Sequence, residues 1–171
     1  MQSKEHIILN EIVFKHHPDF VNNDQIQSIM LNYIDIVRVE RLVEHTMAHV
    51  GGYKFIDGDH CDFDDGSECK TASVRPSPST PNSSSYALEI SNVISSGGCA
   101  KTGPIRVVLY NPHVYELRYY YLPANEIHKI GVNIHPTTKT GRLFATWNSA
   151  KDICNKLDRY KCDSFVELAQ K

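Results

Sequence analysis

The chain has 171 residues, of which 41% are hydrophobic and 22% charged, a composition that excludes wholesale disorder and a length that leaves little room for two full domains. No stretch reaches the eighteen or so apolar residues of a membrane span. Met1 to Asn10, carrying Glu5 and His6, lacks the apolar core of a secretion signal, so a soluble, cytoplasmic protein with no membrane partner is expected. The net charge of −2 conceals a split: residues 1–68 hold 5 Lys/Arg against 13 Asp/Glu, whereas residues 69–171 hold 13 against 7. An acidic cluster followed by a basic remainder suits a protein that sets metal ions against a polyanion.

In chain order, Asn22, Asn23 and Asp24 offer helix N-cap chemistry, and Ile26, Ile29, Met30, Tyr33 and Val37 then recur at helical spacing. Val39, Leu42, Val43, Thr46, Met47 and Val50 repeat the pattern in a shifted register, so residues 23–50 form two helices or one bent helix. Gly51-Gly52 ends the run. Tyr53 to Ile56 reads as a short strand and Asp57-Gly58 as a turn. A second turn at Asp64 to Ser67 and a strand from Glu68 to Arg75 complete a hairpin over 53–75. Residues 76–85 are all Ser, Pro, Thr or Asn and read as a mobile loop. Tyr86 to Val93 alternates as a strand. Ile105 to Tyr110 and Tyr115 to Leu122 make a second hairpin, 105–122, around Asn111-Pro112-His113. Ser149 with Asp152, and Ser164 with Glu167, have capping-box spacing, so C-terminal helices are expected. Strands in the middle with helices at both ends predict one domain over 1–171, of α/β (α+β) class, with a central mixed sheet flanked by helices.

Five cysteines (Cys61, Cys69, Cys99, Cys154, Cys162) without a CxxC pair argue against a disulfide framework and against a structural zinc site. The chemistry lies elsewhere. Six carboxylates fall between Asp57 and Glu68, and Lys70 follows at once. Side chains alternate along a strand, so Glu68 and Lys70 share one face while Cys69 turns to the other. A carboxylate from the turn before can converge on Glu68. Two carboxylates hold a hard divalent cation, which binds a phosphate oxygen and lowers the pKa of a bound water. A neighbouring lysine offsets charge that develops on phosphorus.

Asp62 … Glu68-Cys69-Lys70 resembles the D…(D/E)xK signature of the PD-(D/E)XK, or restriction-endonuclease-like, nuclease superfamily. Asp62-Phe63 … Gly66-Ser67-Glu68-Cys69-Lys70-Thr71 is similar in particular to the MutH-type nicking nucleases and their type II restriction-enzyme relatives. The likeness covers about a dozen residues and is one residue shorter between acid and glutamate, so Asp59 stands as a second choice for the first acid, and Asp64 as a third. The resemblance implies a restriction-endonuclease-like fold and a Mg²⁺-dependent endodeoxyribonuclease, with Mn²⁺ able to substitute. Asp62, Glu68 and the Cys69 backbone carbonyl would hold the metal, and Lys70 would assist the attacking hydroxide. It also implies that the helix before the hairpin lends an acid, for which Glu44 is the better placed of Glu40 and Glu44.

Other readings of the same residues are weaker. No register of Asp57, Asp59, Asp62 and Asp64 supplies the glycine and glutamate of an EF-hand loop. His60, His113, His128 and His135 lack the spacing of a histidine metal site. Asp64 and Asp65 read first as a surface turn, and Trp147 with Tyr119-Tyr120-Tyr121 as core packing. Arg75, Lys101, Arg106, Lys139, Arg142 and Lys151 are candidate contacts to double-stranded DNA. Cutting both strands of a palindrome calls for a homodimer. A partner-controlled nicking nuclease and a non-catalytic nucleic-acid-binding protein are the alternatives.

Overall fold

A computed structural model describes residues 3–57, 61–75, 84–94 and 103–171. Asp59, His60, Lys101 and positions 76–83 of the Ser/Pro segment lie outside the described residues. Helix α1 (Lys4–Ile8), a π-helical turn (Leu9–Val13) and α2 (Phe14–His16) follow one another directly, and Ser3 caps α1 by accepting from the His6 amide. The sequence reading missed this helix. Its buried residues, Ile7 to Leu9 and Ile12 to Phe14, come as two solid blocks, because the π-turn's wider loop shifts the helical phase between them.

Residues 23–50 form two helices. Asn23 caps α3 (Asp24–Asn32) by accepting from the Ile26 amide at 3.2 Å. Helix α4 (Val39–Gly51) ends where Gly52 turns left-handed at φ 76°, a conformation without steric cost for glycine. No residue of α3 is buried. Val39, Val43, Thr46 and Met47 of α4 are fully buried.

Strands β1 (Glu68–Ser73), β3 (Ile105–Asn111), β4 (Glu116–Leu122) and β8 (Lys161–Cys162) form a mixed sheet in the order β1-β3-β4-β8. β1 runs parallel to β3, and the expected β3–β4 hairpin is antiparallel with Ile105 opposite Leu122. A second sheet, ordered β2-β6-β5, joins β2 (Ser85–Ile94), β6 (Gly141–Asn148) and β5 (Asn133–Ile134), with β7 (Ile153–Cys154) on β6. The chain is thus α+β with a central mixed sheet. Among the described residues the α-helices lie on one face of that sheet: Cys69, Val108 and Tyr110 pack there with Val43, Met47, Phe165 and Leu168. On the other face Ile105, Val107 and Leu109 pack on Leu88, Ile90, Leu143 and Trp147 of the second sheet.

Two expectations are corrected. The 53–75 segment is not a laddered hairpin: Phe55 makes a single bridge to Phe63, and β1 takes β3 as its partner. Between Phe63 and Glu68 a tight turn, with Gly66 at φ 81°, leaves too few residues for these two segments to ladder with each other. The C-terminus holds one α-helix, α5 (Phe165–Gln170), where Ser164 Oγ accepts from the Glu167 amide at 3.0 Å. The other apparent capping box, Ser149 with Asp152, belongs to a turn after β6 in which Asp152 sits at φ 51°. Trp147 and Tyr120 are fully buried, as core packing requires. Among the described residues no helix is long and apolar enough to cross a membrane.

Candidate active site

β1 lies at the end of its sheet, so among the described residues no strand pairs along its other edge. The Glu68 amide donates to Pro104 O on the β3 side at 3.0 Å. Alternation therefore turns the Cys69 amide and carbonyl to the free edge, where the amide donates to Asp62 Oδ2 at 2.8 Å. That bond fixes a carboxylate beside β1. Glu68 and Lys70 share a face, with Lys70 Nζ 2.6 Å from Glu68 Oε1, and Cys69 is buried on the opposite, helical side. Burial pushes the Cys69 thiol well above its ordinary range, as expected of an inert packing cysteine.

Helix α4 brings Glu44 to the same edge. Burial, and then the charge of Asp62, raise its carboxyl above the ordinary value; an Arg41 contact at 3.3 Å and the charge of Lys70 oppose this. Arg41 is shared, since it also reaches Asp57 at 2.6 Å. Glu44, Asp62, Glu68 and Lys70 thus gather around one strand edge from three segments. Asp64 does not join them. Its carboxylate accepts from the Lys54 amide at 2.9 Å and its own amide donates to Lys54 O, so it builds the turn.

Arg106, expected to contact DNA, is only 1% exposed. Its guanidinium lies 4.4 Å from the Tyr53 ring centroid. It donates to Tyr53 OH at 2.6 Å, to Leu168 O at 3.1 Å and to Ser67 Oγ, and Asp65 is 3.6 Å away. Arg106 is therefore the anchor of the 64–67 turn that leads into Glu68. The sequence did carry a signal: a lone arginine inside Ile-Arg-Val-Val-Leu sits in a run apolar enough for a doubly covered strand. Arg75, Lys139, Arg142 and Lys151 are exposed, and Arg142 pairs with Glu89 at 3.4 Å.

A cleft of about 300 Å³ opens between β1 and β2, lined by Lys4, Lys70, Ser73, Glu89 and Asn92 among others. Lys4, which pairs with Glu40, comes from the helix that the sequence reading missed. Among the described residues no three histidine, cysteine or acidic side chains form a ready metal cage. A magnesium ion does not require one, since one or two carboxylates with waters and a substrate phosphate usually suffice. Asp62, Glu68 and the Cys69 carbonyl offer only oxygen, the donor set of a hard cation. Burial first and the charge of Asp62 second raise the Glu44 carboxyl, and a cation held beside Asp62 would favour its ionised form. No protein-family model and no curated protein matches the chain.

Proposed function

We propose that this protein is a Mg²⁺-dependent endodeoxyribonuclease of the PD-(D/E)XK type, cutting double-stranded DNA. The observation that carries the reading is the grouping at the free edge of β1. There Lys70 pairs with nearly buried Glu68, Asp62 is held by the Cys69 amide, and Glu44 is raised by burial and then by the charge of Asp62. Asp62, Glu68 and the Cys69 carbonyl would hold the ion, with Glu44 behind them; once bound, Mg²⁺ or Mn²⁺ supplies an acidified water and charge neutralisation at the phosphate. Lys70, reaching the cleft from the same face as Glu68, orients the attacking oxygen and offsets charge on the phosphorane. Water adds to phosphorus and gives up a proton, the opposite P–O bond breaks, and the departing sugar oxygen takes up a proton in its place.

A type II restriction enzyme acting as a homodimer is the specific form we favour, because one small domain has one site and a palindrome needs two. The test is incubation of supercoiled plasmid with the protein, with and without Mg²⁺, beside Lys70→Ala. Discrete fragments that need both the ion and Lys70 are expected, and sequencing their ends reads out the site. Nicks without fragments would shift the reading to a partner-controlled nicking enzyme. Intact plasmid in both Mg²⁺ and Mn²⁺ would overturn the nuclease assignment.

A further inference from the structure

Away from the β1 edge, a second cavity of about 390 Å³ is lined by Lys129, Ile130, Lys156, Asp158 and Arg159. Three of these five residues are cationic. Asp158 is engaged inward, accepting from the Cys154 amide at 2.7 Å. Lys129 and Arg159 share one carboxylate, Glu126, at 3.0 and 2.6 Å. Lys156 is exposed and makes no ion pair among the described residues. A Cβ added to Gly131 would lie 3.6 Å from its ammonium, so the Lys156 head stands over bare backbone. The floor is the nearly buried Ile130. Cationic walls over an apolar floor suit a sugar-phosphate unit better than a bare ion.

Topology sets this cavity at the same end of the sheet as Glu68. Glu68 pairs with Ile105, and Ile105 with Leu122. The 3₁₀ helix Ala124–Lys129 follows Leu122 after one residue, and Asp158–Tyr160 leads directly into β8. Two strand spacings of about 4.8 Å and a six-residue 3₁₀ helix rising about 2 Å per residue put the cavity on the order of 10–20 Å from Glu68. With one phosphate per strand for every 3.4 Å or so of duplex axis, that is about three to six base steps if the separation runs along the axis.

We propose that Lys129, Lys156 and Arg159 form a second phosphate-binding pocket, which grips the backbone of duplex DNA several nucleotides from the bond cut at Lys70. Its location relative to the cut rests on the nuclease reading, but its affinity for phosphodiester does not.

The test measures binding of a short fluorescent duplex, without divalent metal, across a salt series. The proteins are wild type, Lys156→Gln, the Lys129→Gln/Lys156→Gln/Arg159→Gln triple variant, and Lys15→Gln as a control for loss of an exposed charge elsewhere. Lys156→Gln, which disturbs no ion pair, is expected to weaken binding several-fold and to flatten the log–log salt slope by about 1. The triple variant should flatten it by about 2, and Lys15→Gln should leave it unchanged. If wild type binds while Lys156→Gln and the triple variant keep its affinity and slope, the proposal is overturned, whatever the plasmid assay shows. A wild-type protein that binds no duplex at low salt overturns it too. Inorganic phosphate, added during an amide NMR titration, separates the two sources of anion. Shifts at Gly131 and Lys156 with no change in the DNA slopes would make this a small-anion site and overturn the duplex assignment. A protein that binds with the expected slopes yet never cuts would keep the pocket and discard the nuclease.

Discussion

Lys70 reaches its cleft with 23% of the side chain exposed, whereas Glu68, 2.6 Å away, keeps 8%. The acid is the fixed partner and the amine the one within reach of a substrate. Lys70→Met keeps the apolar stem and deletes the charge, so plasmid cleavage should fall by a factor on the order of 10²–10³, the usual cost of one electrostatic stabiliser. An unchanged cleavage time course would remove Lys70 from the chemistry. Glu44 makes a prediction of opposite sign for stability. Burial and Asp62 raise its carboxyl in the folded protein, so between the ordinary and the raised value the folded state binds more protons than the unfolded one. Stability then falls as pH rises through that window, and the penalty persists above it. Glu44→Gln should therefore melt above wild type at neutral pH, and the gap should close as pH drops below the ordinary carboxyl range. A variant that melts lower at pH 7, or a gap that ignores pH, would contradict this placement of Glu44.

Arg106 joins three elements: its strand β3, the 64–67 turn through Ser67, and α5 through Leu168 O. Arg106→Met would leave the Leu168 carbonyl and the Ser67 hydroxyl without this donor inside the protein, at a cost of about 2–4 kcal/mol. A melting point lower by roughly 5–15 °C is expected for a chain of this size, and calorimetry measures it. Gly103 guards the same turn from the other side. A Cβ there would stand 2.3 Å from Gly66 O and 2.8 Å from the Ser67 amide, backbone atoms that cannot step aside. Gly103→Ala should move Glu68 and abolish cleavage, with an overpacking cost of about 1–3 kcal/mol. Neither dependency could be read from spacing alone, because Arg106 and Gly103 meet the turn only through the parallel β1–β3 pairing. What was legible had local causes. The β3–β4 hairpin declared itself by two apolar runs around Asn111-Pro112-His113, α5 by Ser164 and Glu167, and the shared face of Glu68 and Lys70 by strand alternation. β6 was also written locally, with Leu143, Ala145 and Trp147 buried at every second position. The sequence reading gave that stretch no element and set a helix cap directly after it, at Ser149. In the N-terminal helix the π-turn erased the period that would have revealed it, and Lys4 was lost with it.

Taken as a whole, the molecule concentrates Glu44, Asp62 and Glu68 at one strand edge and supplies Lys70 and a shared Arg41 against them. The unfolded chain has no such concentration, so a divalent ion that binds there binds the native state alone and must raise its stability by mass action. At a free ion concentration 100 times its dissociation constant the gain is about 2.7 kcal/mol, or roughly 5–11 °C in melting temperature for a domain of this size. Burial and then Asp62 raise the Glu44 carboxyl, and an ion at this edge competes with its proton. The magnesium-induced shift should thus be larger at pH 8 than at pH 5, and Asp62→Asn should lose most of it at both. Scanning calorimetry of wild type and Asp62→Asn, with and without Mg²⁺, reads this without any substrate and independently of the phosphate pocket, whose residues are cationic. Equal melting points with and without Mg²⁺ and Mn²⁺ would leave the acidic edge without a metal. A shift that depends on Asp62 and grows with pH would tie the ion to the edge that Lys70 shares.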